Sequence, residues 1–309
     1  SELRRYASHS SRFGASTAVA TSTGTTCAIA VDGRVFCDGH NRYSERGVGN
    51  AASFALPTVV SDLTDVRAIT GTGRHFCAER DDGVWCWGWG PGLLQETTPA
   101  LLASGGGEIG LGGSTLCGFG GPVDGLWCLG SDEFGQLGDD TVLPLCPWVE
   151  PTFPVASEVF CSSSPLAVDT DLAHDLVAVG DGFTCSADGG SVACWGDNSH
   201  GQGLVPPPTS VDRPLVVAAQ SPDSAALTAL RAGRDHACVR RADGTVARWG
   251  GHDFGQLGRG TTDSASEIED VPAAPSFVTV EAGGDTTCAI DTAGQAWCWG
   301  LNDVGQVGD

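Results

Sequence analysis

The cysteines are the residues of this chain whose spacing indicates a definite chemistry. The 309-residue sequence contains 13 cysteines, most of them in pairs that are 9, 10 or 11 residues apart. A disulfide needs its two Cα atoms within about 7 Å of each other, whereas zinc sites usually use cysteines two to four residues apart. Because no Cys-x-x-Cys occurs, the spacing favours disulfides, and we expect no metal site.

Each close pair brackets a turn, as in CAIAVDGRVFC at residues 27–37. Residues directly opposite in an antiparallel hairpin have Cα atoms about 4.5–5.5 Å apart, within disulfide reach. A two-residue turn at Gly189-Gly190 and three-residue loops at Asp32-Gly33 and Asp243-Gly244 keep each pair in register although the separations differ. The pattern predicts five cross-strand disulfides: Cys27–Cys37, Cys77–Cys86, Cys117–Cys128, Cys185–Cys194 and Cys288–Cys298.

Three cysteines lie outside these pairs. Arg248 takes the place of a partner for Cys238, so we predict that Cys238 is a buried free thiol. Cys146 and Cys161 are predicted to pair with each other and to staple an inserted loop at residues 140–170. Since disulfides persist in oxidising compartments, we expect a secreted or cell-surface protein, with the periplasm as the alternative; the absence of an Asn-x-Ser/Thr sequon fits a bacterial source.

Histidines and acidic residues are the other groups that could do chemistry, and they are scattered. His75 and His236 share one position before the cysteines, which favours a structural role, and His40, His200 and His252 lie in turns whose residues differ. No nucleophile elbow, phosphate loop, His-Glu-x-x-His or calcium loop occurs. Acidic turn residues could line a calcium site, but Asp is an ordinary turn residue; they are Asp132, Glu133, Asp197, Asp253 and Asp303. We expect no enzyme activity and no cofactor.

The net charge restricts the class of partner. At −22 the chain lacks the basic face that neutralises nucleic-acid phosphates, so no nucleic-acid partner is expected. No run of apolar residues approaches the 18 needed to span a bilayer, so no membrane insertion is expected. A protein partner is left as the expected ligand, and self-assembly is possible.

A second motif follows each hairpin and places the cysteines in a repeat. WCLGSDEFGQLGDD at 127–140 and ARWGGHDFGQLGRG at 247–260 share an apolar-Gly step, a polar turn and Gly-Gln-Leu-Gly. Short apolar runs precede the hairpins, so each unit has several short strands at a period of about 50 residues. All-β units of this size predict a β-propeller.

The recurring Gly, His and Cys, followed by Asp-Gly, Trp-Gly and Gly-Gln-Leu-Gly, resemble the regulator-of-chromosome-condensation repeat. Gly73 to Ala78, Gly233 to Val239 and Phe254 to Gly258 match it best. The resemblance implies a single all-β propeller domain over 1–309 with four-stranded blades, typically seven. Six repeats are visible, so we predict six blades, with seven as the alternative, and a ring closed by pairing of the N- and C-terminal segments.

The resemblance also implies functions. Exchange factors of this family engage a small GTPase, and secreted bacterial relatives include β-lactamase-inhibitory propellers; the disulfides fit the second setting better. We therefore predict a non-enzymatic, extracytoplasmic propeller that acts as a protein–protein interaction module. Aromatic anchors dominate interfaces, and the candidate contacts are Trp148, Phe153, Phe160, Trp89 and Phe134.

Two other classes of function stay open. The protein could be a structural or assembly subunit of a bacterial surface or extracellular complex, and the five aromatics could merely pack the loop against the disc. It could also be an enzyme with a site at the central channel. Carboxylates or histidines with perturbed pKa values at one end of that channel would favour the enzyme.

Overall fold

The computed structural model describes residues 15–52, 56–90, 93–105, 107–121, 123–139, 143–148, 157–168, 170, 176–207, 211–218, 226–271, 274–303, 305 and 307. For residues 93–95, 146–148, 157–159 and 211–218 it describes the backbone alone. All regular structure in these ranges is β-strand, and the strands form six antiparallel sheets. Glycine-rich turns separate the strands, as the composition predicts.

The first three sheets are numbered as blades in chain order. Blade 1 contains β1 (Ser16–Ser22), β2 (Thr25–Ala30), β3 (Val35–Gly39) and β4 (Thr58–Val59). Blade 2 contains β5 (Ala68–Thr72), β6 (Arg74–Arg80), β7 (Gly83–Gly90) and β8 (Leu93–Ser104). Blade 3 contains β9 (Ile109–Gly112), β10 (Thr115–Phe119), β11 (Leu126–Ser131), β12 (Leu145–Trp148) and β13 (Ser157–Ala167).

The last three sheets complete the series. Blade 4 contains β14 (Leu176–Val179), β15 (Phe183–Asp188), β16 (Ser191–Gly196) and β17 (Val211–Ala218). Blade 5 contains β18 (Leu227–Ala232), β19 (His236–Arg241), β20 (Val246–Gly250) and β21 (Ala265–Asp270). Blade 6 contains β22 (Phe277–Gly283), β23 (Thr286–Asp291) and β24 (Ala296–Gly300).

The blades surround a central cavity and pack their faces against each other. The first strand of every blade lines this cavity, which has a volume of about 1020 Å³. The hydrophobic clusters lie between blades rather than within them: Phe76 and Trp87 of blade 2 pack with Ile29 of blade 1, and Trp249 of blade 5 packs with Phe183 of blade 4. The prediction of an all-β, six-bladed propeller is confirmed.

The hairpin register agrees with the cysteine spacing. In all five predicted pairs the cysteines are directly opposite and disulfide-bonded, with Cα atoms 4.1 Å apart. Asp188 pairs with Ser191 around the two-residue turn, and Gly33 and Gly244 have φ of +78° and +85° in the three-residue loops. Cys238 lies opposite Arg248 and is a buried free thiol. These disulfide predictions are confirmed.

The predicted inserted loop contains regular structure. Leu145 of β12 pairs with Phe160 of β13, and β13 continues along β11 as an outer strand of blade 3. Leu145–Trp148 and Ser157–Ala167 of this segment therefore form strands, and β13 satisfies the open edge of β11. Cys161 is disulfide-bonded, while the side chain of its predicted partner, Cys146, lies outside the described residues.

Ring closure depends on the N-terminal segment. β1 is the inner strand of blade 1, and blade 6 has three strands among the described residues. A strand from the N-terminal segment that completes blade 6 would fall within residues 1–14, which lie outside the described part of the chain.

Candidate functional site

Two sets of turns meet on one face of the ring. In an antiparallel blade the turn after the first strand and the turn after the third strand lie at the same end. Main-chain hydrogen bonds join them: the N–H groups of His40 and Asp197 donate to the oxygens of Gly24 and Gly182 at 2.9 and 2.8 Å. We call this end the turn face. The hairpin turns, such as Asp32-Gly33, lie at the opposite end, the hairpin face.

The Gly-Gln-x-Gly motif builds the turn that follows the third strand. In blade 3, Gln136 Oε1 accepts a hydrogen bond from the N–H of Phe134 at 2.8 Å. Asp132 Oδ1 accepts one from the N–H of Leu137 at 2.8 Å. The same pair of bonds recurs in blades 1, 4 and 5. The residue two positions before the Gln or its Glu equivalent stands at the tip of each turn; these tip residues are Tyr43, Phe134, His200 and Phe254.

The tip side chains of blades 1, 3 and 4 lean towards the next blade. The Phe134 ring lies over Gly182, where an added Cβ would be 2.8 Å from the ring. This close approach explains why glycine occupies that position, which also has φ of +85°. Phe134 and Phe254 nevertheless stay 42% and 48% exposed, so the turns hold aromatic rings partly open to solvent.

Tyr43 belongs to a cluster of arginine and aromatic side chains. The Arg74 guanidinium carbon lies 4.1 Å from the Tyr43 ring centroid and 5.4 Å from that of Trp89. The two rings are 6.0 Å apart, and Arg42 lies 5.7 Å from Tyr43. These are cation–π distances. We call these four residues the Tyr43–Trp89 cluster, which lies on the turn face between blades 1 and 2.

The structure places the predicted contact residues at different positions. Trp89 is in the Tyr43–Trp89 cluster and Phe134 is a tip residue, so both reach the turn face. Phe160 is 48% exposed, and its main-chain oxygen accepts a 2.8 Å bond from the N–H of Asp132, beside the same turn. Phe153 and the side chain of Trp148 lie outside the described residues.

Sequence reasoning missed Tyr43, Arg74 and Phe254. Alignment of the turns on the Gln or Glu would have found the two aromatics, since NRYSE, SDEFGQ and GHDFGQ place a ring at the same offset. Nothing in the sequence pairs Arg74 with Tyr43, because the contact joins two blades.

The recurring histidines have structural surroundings. Burial lowers the pKa of His75 and of His236 to about 4, and His236 Nε2 lies 2.8 Å from Thr287 Oγ1 of the next blade. His252 Nδ1 accepts a 2.9 Å hydrogen bond from the N–H of Leu257, so it takes the place that Asp132 has in blade 3. The turn histidines therefore do not share one chemical role.

Charged side chains line part of the central cavity. Glu79, Glu108, Arg231 and Glu281 face it, and Arg231 Nε lies 2.9 Å from Glu281 Oε2. Burial raises the pKa of both Glu79 and Glu108. Carboxyl groups of this kind are the feature that favours channel chemistry, although Arg231 Nη1, 4.0 Å from Glu108, offsets part of the charge.

The described residues contain no helix with the length and apolar character to cross a bilayer. Disulfides of this number are typical of an oxidising environment.

Two family models, both for the regulator of chromosome condensation (RCC1) repeat, match residues 243–290 and 277–306. The resemblance of the sequence to the RCC1 repeat is thus confirmed over residues 243–306, within a six-bladed β-propeller.

Known proteins resemble this chain in sequence or in structure. The ultraviolet-B receptor UVR8 of Arabidopsis thaliana is 24% identical over 248 residues, which cover 75% of this chain and 52% of UVR8. The chain therefore spans about half the length of this curated relative. The structure of Prp20p from Saccharomyces cerevisiae, described with its binding properties to Gsp1p and histones, has a TM-score of 0.72 at 17% identity and covers 94% of this chain and 73% of Prp20p.

The ectodomain of the Physcomitrella patens receptor kinase CR4 is a further structural neighbour. Its TM-score is 0.54 at 19% identity, over 93% of this chain and 64% of that chain. At these identities the structural likeness shows the fold alone.

Proposed function

We propose that the protein is a non-enzymatic, extracytoplasmic propeller that binds a protein partner through its turn face. The observation that carries this proposal is the Tyr43–Trp89 cluster, in which the Arg74 guanidinium contacts the rings of both Tyr43 and Trp89. Tryptophan, tyrosine and arginine are the residues most enriched at binding hot spots.

Rigidity of the turn supports the same role. The N–H of Tyr43 donates to Glu45 Oε2 at 2.8 Å, and the N–H of Arg46 donates to Asn41 Oδ1 at 2.9 Å. These bonds fix the backbone on both sides of the tip before any partner arrives. A surface that is already ordered loses less conformational entropy on binding.

The extracytoplasmic setting rests on the sulfur chemistry. Five disulfides each lock a hairpin, and such bridges persist where thiols are not kept reduced. The CR4 neighbour is a receptor ectodomain and Prp20p has binding properties to Gsp1p and histones, so this fold is used outside cells and for protein binding in other proteins.

The experiment is capture of partners from the native secretome with matched variants. We expect wild type to retrieve a partner that Tyr43→Ala and Arg74→Ala lose. The control variants are Val31→Ala, next to the Asp32-Gly33 turn, and Leu101→Ala on β8. Both remove exposed apolar groups near the hairpin face, and both should retain the partner. Retention by both turn-face variants, or loss by Val31→Ala, would overturn the proposal.

The predicted stapled loop has its own test. A chain that lacks residues 145–162 should lose the partner if the segment around Phe160 contributes to binding.

Self-assembly is tested by sedimentation of the isolated protein. A dedicated binder should have a mass that does not change with concentration, whereas a mass that grows with concentration would favour an assembly subunit.

The central cavity supports a second candidate function, a small-ligand or catalytic site. Its support is the pair of cavity carboxyls with raised pKa values, Glu79 and Glu108. The double variant Glu79→Gln, Glu108→Gln should leave protein capture unchanged under the first proposal. Loss of a small-molecule activity in that variant would favour the second.

A further inference from the structure

Blade 4 has an imidazole at its turn tip where three other blades have an aromatic carbon ring, and a carboxylate of blade 5 lies beside it. We propose that Asp197, His200 and Asp235 form a binding site for a divalent transition-metal ion, with Zn²⁺ as the ion that fits best. One ligand atom from each residue lies within 4.8 Å of the other two.

The three residues come from two blades. Asp197 and His200 belong to the turn after β16, and Asp235 belongs to the turn between β18 and β19. In a tetrahedral site with bonds of about 2.0–2.2 Å, ligand atoms lie about 3.3–3.6 Å apart. Small side-chain rotations would therefore close the group around an ion and tie blade 4 to blade 5.

Neighbouring groups hold the ligands in place. Asp197 Oδ2 accepts hydrogen bonds from Ser199 Oγ at 2.8 Å and from Gln202 Nε2 at 3.1 Å. His200 Nδ1 lies 2.9 Å from Ser199 Oγ. Hydrogen bonds of this kind orient ligands and are a regular part of metal sites.

A fourth donor, the carboxylate of Asp253, lies near the imidazole on the exposed side. His200 Nε2 lies 3.8 Å from Asp253 Oδ2, in the turn after β20. Asp253 can complete four-coordination, or water can take that position.

The local charge favours a cation. Asp235 is partly buried, and its charged neighbours include the carboxylates of Asp181 and Asp197 as well as His200 and Arg234. The Arg234 guanidinium lies 4.0 Å from Asp235 and also pairs closely with the buried Asp285. A divalent ion would offset the repulsion among the carboxylates.

The imidazole decides the class of ion. Ca²⁺ and Mg²⁺ are bound by oxygen ligands, whereas a nitrogen donor among carboxylates suits Zn²⁺, Ni²⁺ or Cu²⁺. The sequence analysis predicted no metal site from the spacing of the cysteines, and it weighed calcium only at the acidic turn residues. It did not bring His200 and Asp235 together, because these residues lie in different blades.

The test is titration of chelator-treated protein with Zn²⁺ alone, followed by calorimetry and by equilibrium dialysis with elemental analysis. We expect one Zn²⁺ per chain. His200→Gln and Asp235→Asn should each raise the Kd at least about tenfold. His40→Gln, which removes an exposed imidazole of the turn face in blade 1, should leave the Kd unchanged.

Two readouts separate a lost site from a lost fold. Thermal unfolding without metal should be similar in all variants, and Zn²⁺ should shift the ring nitrogen resonances of His200 in wild type. The proposal would be overturned if Zn²⁺ showed no saturable binding or if His200→Gln bound Zn²⁺ as tightly as wild type. It would also be overturned if millimolar Ca²⁺ competed with Zn²⁺ and His200→Gln had no effect on that competition.

Discussion

The indole nitrogen of Trp195 donates a 2.9 Å hydrogen bond to the main-chain oxygen of Gln136, which lies in the preceding blade. Thr184 Oγ1 donates to the same oxygen at 2.9 Å. Trp249 makes the equivalent bond to Gln202 at 3.1 Å. The Trp-Gly step of one repeat and the Gly-Gln-x-Gly turn of the previous repeat are therefore two halves of one interblade contact.

Replacement of this tryptophan should destabilise the ring. Trp195 is fully buried, so Trp195→Phe removes a hydrogen bond and leaves a gap, at a cost of about 2 kcal/mol. Trp297→Phe changes a side chain that is 44% exposed and should cost well under half as much. Urea unfolding measures both; equal losses would contradict the interblade role.

Gln136 should act through its side-chain oxygen on the tip of the turn. Gln136→Ala removes the acceptor for the N–H of Phe134, and this amide should exchange with solvent about fivefold to tenfold faster, as expected for a bond worth about 1 kcal/mol. Gln136→Glu keeps an acceptor, as Glu45 does for Tyr43, and should retain the protection. Hydrogen exchange followed by NMR reports this amide directly; unchanged exchange in the alanine variant would exclude the mechanism.

The fifth hairpin should accept the disulfide that it lacks. Cys238 and Arg248 are directly opposite, in the register of the five bonded pairs, so Arg248→Cys is expected to oxidise spontaneously. Thiol labelling of denatured, unreduced protein should modify one cysteine in wild type and none in this variant. Native wild type should resist labelling, because burial raises the pKa of the Cys238 thiol to about 12. Two labelled cysteines in the variant would contradict the register in which positions 238 and 248 are directly opposite.

Acidification should weaken the fold through the buried histidines. His75 and His236 have folded-state pKa values of about 4, against an ordinary value of 6.5, so the unfolded chain binds protons first as the pH falls. Their contribution is intact above pH 6.5 and is lost between about 6.5 and 4, up to about 3 kcal/mol for each.

The carboxyls of Glu79 and Glu108 act in the opposite direction, because their raised pKa values favour proton binding by the folded chain. His236→Asn therefore isolates the histidine effect. Its free energy of unfolding should fall less than that of wild type between pH 7 and pH 5. Parallel curves for the two proteins would argue against a neutral buried imidazole.

The hairpins were predictable because their determinants are local. Cysteine separation, Gly189-Gly190 and Asp32-Gly33 fix the register within about ten residues, and the period of the repeat indicates the ring. Contacts between blades were not predictable in this way. Arg74 meets Tyr43, and His200 meets Asp235, only after the ring has formed, so spacing along the chain carries no trace of either contact.

Blade 2 departs from the repeat, and blade 3 departs from it at the matching position. Blade 2 has the strand β8 where blades 3 and 5 have the Gly-Gln-x-Gly turn and blades 1 and 4 have an equivalent turn. Blade 3 has Leu129 where its neighbours have the tryptophan that would bond to that turn. The repeat is therefore lost on both sides of this one contact between blades 2 and 3.

Site-specific photo-cross-linking tests the central claim, that the turn face binds the partner, most directly. A photoreactive phenylalanine in place of Tyr43 or Phe254 is expected to cross-link the captured partner, whereas the same group in place of Val31 or Leu101 on the hairpin side should not. Cross-links from the hairpin-side positions alone would contradict the account.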